Sequence, residues 1–434
     1  MSSAATPPSL WGTIKTVSLT GHTRHRHTPN PVSPGFKAPN ASLNLSFGPT
    51  ALAAAIARTA TLRNAPIELL RRWRNSALEE LELMVAAGPT FSLSAHFDYL
   101  ADTERTFFAT RVGAGITDIM MNALGYTWRD NAACISSTLD PHADFVYAGG
   151  NASGYGVVLA EAHGSFANNV SRAVISRRAK HKYLRQVKPY LSTNSPHGPV
   201  IHGYSVAFGS KSGTLDTFLS LSETHVRKPR LRPPHSAPSN MATATQTSLV
   251  LASHRSNLIL MDALTVVGWI DWVRGVADYP DSHRPVEFLR IPYDGRWFLA
   301  CVDSLSPLAR LPIWIQEFWR DPRWWTYLAP ALLSRRNDFG QFAGWFVMEE
   351  QACERFLNAL SNIIRSGARD VPRQFELPSL DPVGFGIAEG TVAPRNEDNP
   401  NYTYALFRDG LALLGTPPQR AADQRAWLPK EGLN

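Results

Sequence analysis

Between residues 144 and 165, apolar and polar positions follow the pattern of two strands joined by a tight turn. The strands are the segment Asp144-Phe-Val-Tyr and the nearly continuous apolar run from Tyr155 to Ala160, which leads into Glu161. Between them lies Gly149-Gly-Asn-Ala-Ser-Gly154, in which glycine and asparagine tolerate the positive φ angles of a hairpin turn. A turn centred in this segment predicts that Asp144 lies opposite Glu161, with their Cβ atoms about 4.5–5.5 Å apart.

The flanking segments predict two helices and a further strand. Residues 103–124 open with Thr-Glu-Arg and carry a broad apolar face, and residues 168–191 also have a helical pattern. The run from Pro199 to Gly209 is apolar enough for a buried strand. The predicted order is therefore helix, strand, strand, helix, strand. On the second helix the predicted apolar positions are Val170, Val174, Ala179, Leu184 and Val187, and the predicted positive surface consists of Arg177, Arg178, Lys180, His181, Lys182 and Arg185.

The two acids of the predicted hairpin are candidate metal ligands. Carboxylates at this distance can share one divalent cation, and alternation along the strand puts His163 on the same face as Glu161. A solvated acidic face is the ordinary alternative for two acids on neighbouring strands. The apolar run before Glu161 favours the cation site, because a carboxylate at the end of a buried strand is costly unless it is paired or metal-bound.

This element order, with these acids, resembles the PD-(D/E)xK superfamily of restriction-endonuclease-like nucleases. In that family an Asp on one strand and a (D/E)-x-K tripeptide on the next surround a magnesium site. Asp144 occupies the first position and Glu161-Ala162-His163 the tripeptide, while Gln186 matches a glutamine that many members carry on the following helix. The resemblance covers roughly residues 100–210. It implies an α/β restriction-endonuclease-like core, with Mg²⁺ or Mn²⁺ held by Asp144 and Glu161.

The sequence departs from that family at His163, which stands where the family has its lysine. The lysine helps to position the attacking water and stabilises developing charge, whereas histidine has an unperturbed pKa of about 6.5. Neighbouring carboxylates are expected to raise the pKa of His163, and a bound metal would instead take its neutral ring as a ligand. Three interpretations stay open: His163 replaces the lysine, Lys180 or Lys182 on the next helix takes its place, or the site is inactive.

Composition indicates a globular protein with a large core. The chain has 434 residues, of which 44% are apolar and 18% charged, a size and composition typical of two or three domains. Three cysteines far apart in the sequence predict neither a disulfide framework nor a cysteine zinc site. Without a recognisable signal peptide or membrane-spanning segment, the expected location is cytoplasmic, with no membrane partner. The net charge of +7 is compatible with an anionic partner.

Composition also divides the chain into segments. These are a flexible N-terminal segment (1–48), a helical extension (49–99), the nuclease-like core (100–222), a basic Pro-rich linker (223–246), an α+β region of unknown role (247–416) and a C-terminal tail (417–434). Within the first segment, the three histidines of residues 21–27 alternate with arginines, which favours a basic arm over a metal site. Two glycines at 113 and 115 predict close helix packing, and Asp409-Gly410 predicts a hairpin turn.

These features predict a metal-dependent nuclease that hydrolyses phosphodiester bonds in nucleic acid, with DNA as the expected partner. The candidate site residues are Asp144, Glu161, His163, Lys180 and Gln186, with Asp144 and Glu161 as the metal ligands. Glu104 is a weaker candidate for an acidic contact, and its alternative role is at a helix start. The alternative function is a catalytically inactive protein of the same fold that binds DNA or a protein partner.

Overall fold

A computed structural model of the chain describes residues 13–27, 36–41, 44–63, 65–135, 140–226, 245–281, 284–302, 345–368, 371–388, 404–415 and 423–434. Within these ranges the protein has a mixed α/β fold built around two seven-stranded sheets. Most of the predicted basic linker and the tryptophan-rich residues 303–344 lie outside the described residues.

The described strands are short to medium in length, and seven α-helices connect or cover them. The strands are β1 (Lys15–Val17), β2 (Leu19–His27), β3 (Asn44–Phe47), β4 (Trp128–Asn131), β5 (Phe145–Ala148), β6 (Val157–Ser165), β7 (Asn194–Ser195), β8 (Gly198–Ser210), β9 (Thr217–Val226), β10 (Thr245–Gln246), β11 (Val286–Tyr293), β12 (Arg296–Cys301), β13 (Trp345–Glu349), β14 (Gln374–Phe375), β15 (Phe385–Ala388), β16 (Tyr404–Leu406), β17 (Leu411–Leu414), β18 (Asp423–Leu428) and β19 (Gly432–Leu433). The helices within the described ranges are α1 (Pro49–Ala60), α2 (Ile67–Met84), α3 (Asp102–Ala123), α4 (Arg172–Lys182), α5 (Thr247–Leu260), α6 (Leu264–Val273) and α7 (Glu350–Arg365).

The first sheet contains the predicted hairpin. Its strand order is β2-β9-β8-β6-β5-β4, with β7 paired to β8 at one end. Strands β4, β5 and β6 form an antiparallel meander, and β8 lies parallel to β6 after the crossover through α4. The predicted order of α3, β5, β6, α4 and β8 is present. Strand β4 was not predicted, because three of the four residues in its short sequence Trp-Arg-Asp-Asn are polar.

Helices α3 and α4 cover opposite faces of this sheet. Helix α3 crosses β6 in direct backbone contact, since a Cβ added to Gly113 would lie 2.5 Å from the Gly164 nitrogen. A Cβ added to Gly164 would lie 1.7 Å from the Ala109 carbonyl oxygen. The predicted close packing at Gly113 is therefore confirmed. On the other face, a Cβ added to Gly203 would lie 2.2 Å from a methyl carbon of Val187. Glycines on both faces thus let the two helices approach the site strands closely.

The second predicted helix of the core is not α-helical throughout. It begins after Ser171, whose hydroxyl accepts the Val174 N–H at 3.4 Å, and α4 ends at Lys182. A π-helical turn over Tyr183–Val187 and a 3₁₀ turn over Lys188–Tyr190 follow. Pro189 has no N–H for an i→i−4 bond, which prevents the α-helical pattern from continuing. Of the predicted apolar positions, Val170, Ala179 and Val187 are buried and Val174 is half-buried, but Leu184 is 40% exposed because the π turn rotates the chain.

The second sheet has the order β16-β17-β13-β12-β11-β18-β19 and is antiparallel throughout. The hairpin predicted at Asp409-Gly410 joins β16 to β17, and Gly410 has the positive φ of 89° that such a turn needs. One continuous apolar core contacts both sheets and includes Val158 of β6, Trp269 of α6 and Leu411 of β17. Among the described residues, no helix is both long and apolar enough to cross a bilayer.

The two ends of the chain differ from the flexible segment and the tail expected there. In the N-terminal segment, β1 and β3 pair with each other, and β2 pairs in parallel with β9. Near the C-terminus, β18 pairs with β11, so that Val286 lies opposite Trp427. Strand β1 lies in the segment from Trp11 to Leu19, whose sequence is compatible with a strand. Local composition did not predict β2 and β18, because their pairing partners lie about 140 to 200 residues away in sequence. The helical extension of residues 49–99 contains α1 and α2, as its pattern predicted.

A buried ionic cluster joins helices α1 and α3 and strand β4 of the first sheet to the β16–β17 turn of the second sheet. Arg58 of α1 donates to Asp118 of α3 at 2.8 Å and to Asp409 of the β16–β17 turn at 2.9 Å. Arg129 of β4 donates to the same Asp409 at 2.7 Å. All four side chains are fully buried, and their two positive and two negative charges balance. A charge in this position is tolerated only while its partners stay in place.

Candidate functional site

The two candidate carboxylates lie on neighbouring strands, in the predicted register. Phe145 of β5 pairs with Ala160 of β6, so Asp144 and Glu161 are the next opposed positions. Asp144 is exposed just before β5, and its Oδ2 accepts the Ala162 N–H at 2.9 Å. That hydrogen bond fixes the Asp144 carboxylate beside the strand that carries Glu161.

Glu161 is a buried carboxylate with one free oxygen. Its residue is 1% exposed, and its Oε1 accepts from the Lys182 amine at 2.8 Å. Its Oε2 is buried and accepts no hydrogen bond. Burial first, and then the adjacent charge of Asp144, raise the pKa of Glu161 to about 9, although Lys182 acts in the opposite direction. The apolar run before Glu161 therefore does bury this acid, and more positive charge than Lys182 supplies is needed to keep it ionised at neutral pH.

Of the two lysines considered on the next helix, Lys182 and not Lys180 contacts the acids. Lys182 is the last residue of α4 and is half-buried, with 32% of its side chain exposed. Lys180 is exposed, and its charge acts on His25 of β2 instead. Residues two positions apart on an α-helix point in nearly opposite directions, which separates these two amines. The lysine beside Glu161 is therefore Lys182.

His163 is half-buried on β6, two residues after Glu161. Burial first, and then the charges of Lys182 and Arg178, lower the pKa of His163 to about 4. The expected upward shift caused by the two carboxylates is wrong, because these cations and the loss of solvent dominate the surroundings of the ring. His163 is therefore neutral at physiological pH and does not supply the positive charge of a lysine.

Gln186 and Glu104 support backbone segments. In the π turn, the Gln186 side chain donates to the carbonyl oxygen of His142 at 3.1 Å. This bond holds the loop that immediately precedes Asp144. The Glu104 carboxylate accepts the Ala101 N–H at 2.9 Å at the start of α3, which is the helix-start role of the two considered for it. Gln186 is thus linked to the site, whereas Glu104 stabilises a helix end.

Sequence reasoning missed Ser205 of β8, which continues the row of polar positions beyond Glu161. The register pairs Glu161 with Ser205 and Ser205 with Ser222 of β9. Both serine hydroxyls are buried and have no hydrogen-bond partner. Because paired residues project from the same sheet face, the Ser205 hydroxyl lies on the face that carries Glu161. A serine within the largely apolar run from Pro199 to Gly209 was the signal that could have identified it.

The residues present fit a hard divalent cation bound mainly by oxygen. Among the described residues, no group of three or more His, Cys, Asp or Glu side chains is placed to hold a metal. Magnesium, however, commonly takes one or two carboxylates and completes its shell with water and substrate phosphate. Exposed Asp144 beside the unpaired Oε2 of Glu161 matches that requirement, and the positive charge would offset the cost of ionising Glu161.

Part of the positive surface that the helix pattern predicted lies beside the site. The exposed basic positions of α4 and the turns after it are Arg172, Arg177, Arg178, Lys180, His181, Arg185 and Lys188. Arg178 and Lys182 lie near enough to His163 to lower its pKa. Positive side chains therefore reach the edge of the carboxylate pair.

Comparisons of the chain with protein-family models, with curated proteins and with solved structures found no match.

Proposed function

We propose that this protein is a metal-dependent nuclease that hydrolyses phosphodiester bonds in nucleic acid at Asp144 and Glu161. The observation that carries the proposal is the convergence of two adjacent carboxylates and one lysine amine, with Lys182 Nζ lying 2.8 Å from Glu161 Oε1. The PD-(D/E)xK resemblance also leads us to expect two carboxylates and a lysine at one site. In this chain the lysine lies on the helix after the two strands, whereas the family carries it on the second strand.

Asp144 and Glu161 would hold Mg²⁺ or Mn²⁺, with the unpaired Glu161 Oε2 facing the ion. When bound, such a cation acidifies a coordinated water and stabilises negative charge on the phosphate. The amine of Lys182 donates to Oε1 of Glu161 and supplies the fixed positive charge that His163 lacks. Gln186 keeps Asp144 in place through the His142 carbonyl.

DNA is the proposed substrate class. The net charge of +7 and the exposed cations of α4 provide the electrostatic attraction that a phosphate backbone requires. The α3–β5–β6–α4–β8 order supports the same proposal, since it presents the acids and the cationic helix at one side of the sheet.

A second candidate function is nucleic-acid binding without cleavage. The observation that favours it is the ion pair itself, because Lys182 already neutralises one oxygen of Glu161. If that pair persists in the presence of metal, the site keeps its fold and its positive surroundings without holding a cation. The two candidates differ in one measurable respect, which is strand cleavage.

The test is incubation of the protein with supercoiled plasmid and with single-stranded DNA in the presence of Mg²⁺ or Mn²⁺. Wild type is compared with Glu161→Gln, Lys182→Met and the control Glu104→Gln, which changes a carboxylate that caps α3. We expect cleavage by wild type and Glu104→Gln. Loss of a single charge-stabilising donor typically reduces turnover about 100- to 1,000-fold, and a similar loss is expected for the two site variants.

Equal cleavage by wild type and Glu161→Gln would place the activity elsewhere or in a contaminant. DNA binding with no cleavage in either metal would favour the binding function. His163→Lys adds a further comparison, since a lysine restored on the strand should rescue Lys182→Met only if the amine's charge is what the reaction needs.

A further inference from the structure

Strand β2 is a cationic edge of the first sheet. It stands last in the strand order and pairs with β9, and within the described residues no strand pairs with its other edge. Its sequence Leu-Thr-Gly-His-Thr-Arg-His-Arg-His carries five ionisable side chains, all of them basic. Alternation along a strand puts His25 and His27 on one face and Arg24 and Arg26 on the other.

The face with His25 and His27 lies against the end of the helix that carries Lys182. The His25 ring stacks on Tyr183, with ring centroids 4.3 Å apart and an interplanar angle of 11°. The Tyr183 hydroxyl lies 2.7 Å from the Thr224 hydroxyl of β9, and this hydrogen bond holds the Tyr183 ring in place. His25 is therefore held in one orientation before any ligand binds.

Lys188 lies near both histidines, and Lys180 lies near His25. Burial first, and then the charges of Lys180 and Lys188, lower the pKa of His25, while burial and Lys188 lower that of His27. Both lysines are exposed, and no acid is among the charges that shift either ring within the described part of the chain. On the opposite face, Oε1 of the acid Glu223 lies 3.0 Å from His22 Nε2 and 2.8 Å from Arg24 Nε. The cluster thus has uncompensated positive charge.

We propose that His25, His27, Lys180 and Lys188 form a phosphate-binding surface for a nucleic-acid backbone that leads to the Asp144–Glu161 site. The choice of nucleic acid rests on the proposed function. Strands β9 and β8 separate β2 from β6, and Lys180 and Lys182 project from nearly opposite sides of α4. A backbone that crosses the end of α4 would therefore run from β2 to the amine that contacts Glu161. Exposed arginines elsewhere on α4 extend the positive surface.

The cluster also predicts that binding takes up protons. A phosphate beside the two rings stabilises their charged form, whereas the two lysines destabilise it in the free protein. Binding should therefore strengthen as pH falls from about 8 to about 6, because charged histidines are favoured in the complex.

The experiment measures binding of a short fluorescein-labelled DNA duplex by fluorescence anisotropy in EDTA, so that no cleavage occurs. We expect the double variant Lys180→Gln/Lys188→Gln to bind about ten- to 50-fold more weakly at 0.1 M salt, with a salt-dependence slope reduced by about 2. We expect His25→Gln/His27→Gln to lose the strengthening between pH 8 and pH 6. Lys430→Gln, an exposed lysine in the turn between β18 and β19, is the matched control and should bind like wild type.

Equal binding by wild type and the double-lysine variant would overturn the proposal, as would the absence of any DNA binding. Binding to phosphatidylserine vesicles with the same dependence on both lysines would overturn the choice of nucleic acid. Cleavage that persists when Lys180 and Lys188 do not contribute to binding would support the proposed function and reject the phosphate-binding surface. Lysine-dependent binding without cleavage would support the surface and reject the nuclease function.

Discussion

The substitution Asp409→Asn tests the ionic cluster that joins the two sheets. The Asp409 carboxylate accepts from Arg58, from Arg129 and from Asn257, the last at 3.0 Å. Burial alone would raise the pKa of Asp409, but the two arginine charges and these hydrogen bonds hold it far below the usual value. The arginine charges outweigh the cost of burying the acid. The asparagine amide has no negative charge, and it presents either an N–H donor or a weakly accepting oxygen to the two guanidinium groups. Asp118 is then the one acid of the cluster left to balance Arg58 and Arg129. Breaking a buried pair in this way costs about 3–5 kcal/mol of unfolding free energy.

Equilibrium urea unfolding, followed by tryptophan fluorescence and circular dichroism, measures this cost. The matched control is Asp381→Asn, which breaks an exposed ion pair: the Asp381 side chain is 98% exposed and lies 3.7 Å from Arg408. We expect no measurable change in unfolding free energy for this control, because exposed ion pairs contribute little. A loss below about 1 kcal/mol for Asp409→Asn would show that the cluster relaxes around the amide or admits water, and the proposed role in joining the sheets would be refuted.

Three other changes follow from particular contacts. Gly164→Ala should destabilise the protein by about 2 kcal/mol or more, because the new Cβ would lie 1.7 Å from the Ala109 carbonyl oxygen. The control Gly268→Ala in α6 should be neutral or stabilising, because its Cβ would meet nothing within 4 Å. Equal urea midpoints for the two variants would contradict the packing of α3 on β6. Burial lowers the pKa of His202 to about 4 and that of His254 to about 3, so as pH falls the unfolded state takes up protons before the folded state does. Stability present above pH 6.5 should therefore be lost as pH falls toward 4, and His202 accounts for about 2 kcal/mol of this loss between pH 7 and pH 5. His202→Phe should flatten the dependence of the unfolding free energy on pH. Ser205→Ala removes a buried unpaired hydroxyl and should raise the free energy of unfolding by about 1 kcal/mol. A clear loss of stability in the urea assay would show that the hydroxyl has a partner, such as an ordered water.

The local features of the site were predictable from the sequence because they depend on short-range rules. The turn residues set the register that opposes Asp144 and Glu161, and the apolar run before Glu161 indicated its burial. The hairpin at Asp409-Gly410 and the close approach at Gly113 follow from glycine's missing side chain. Each of these needs only neighbouring residues.

The remaining features depend on contacts between distant segments. The choice of Lys182 over Lys180 is set by where α4 ends and the π turn begins, which the pattern of residues 168–191 does not specify. The neutral state of His163 results from cations that the fold brings to it, which reverses the shift expected from its sequence neighbours. The parallel pairing of β2 with β9, about 200 residues away, turned an expected flexible arm into an edge strand.

The most direct test of the central claim is Mn²⁺ binding followed by electron paramagnetic resonance, in which the signal of free Mn²⁺ falls as the ion is bound. We expect wild type to bind a single Mn²⁺ ion that Mg²⁺ displaces, and Asp144→Asn and Glu161→Gln each to lose that binding while keeping the urea midpoint close to wild type. Glu104→Gln should bind as wild type does. Undiminished Mn²⁺ binding in both site variants, or no binding by wild type, would contradict the assignment of Asp144 and Glu161 as one cation site.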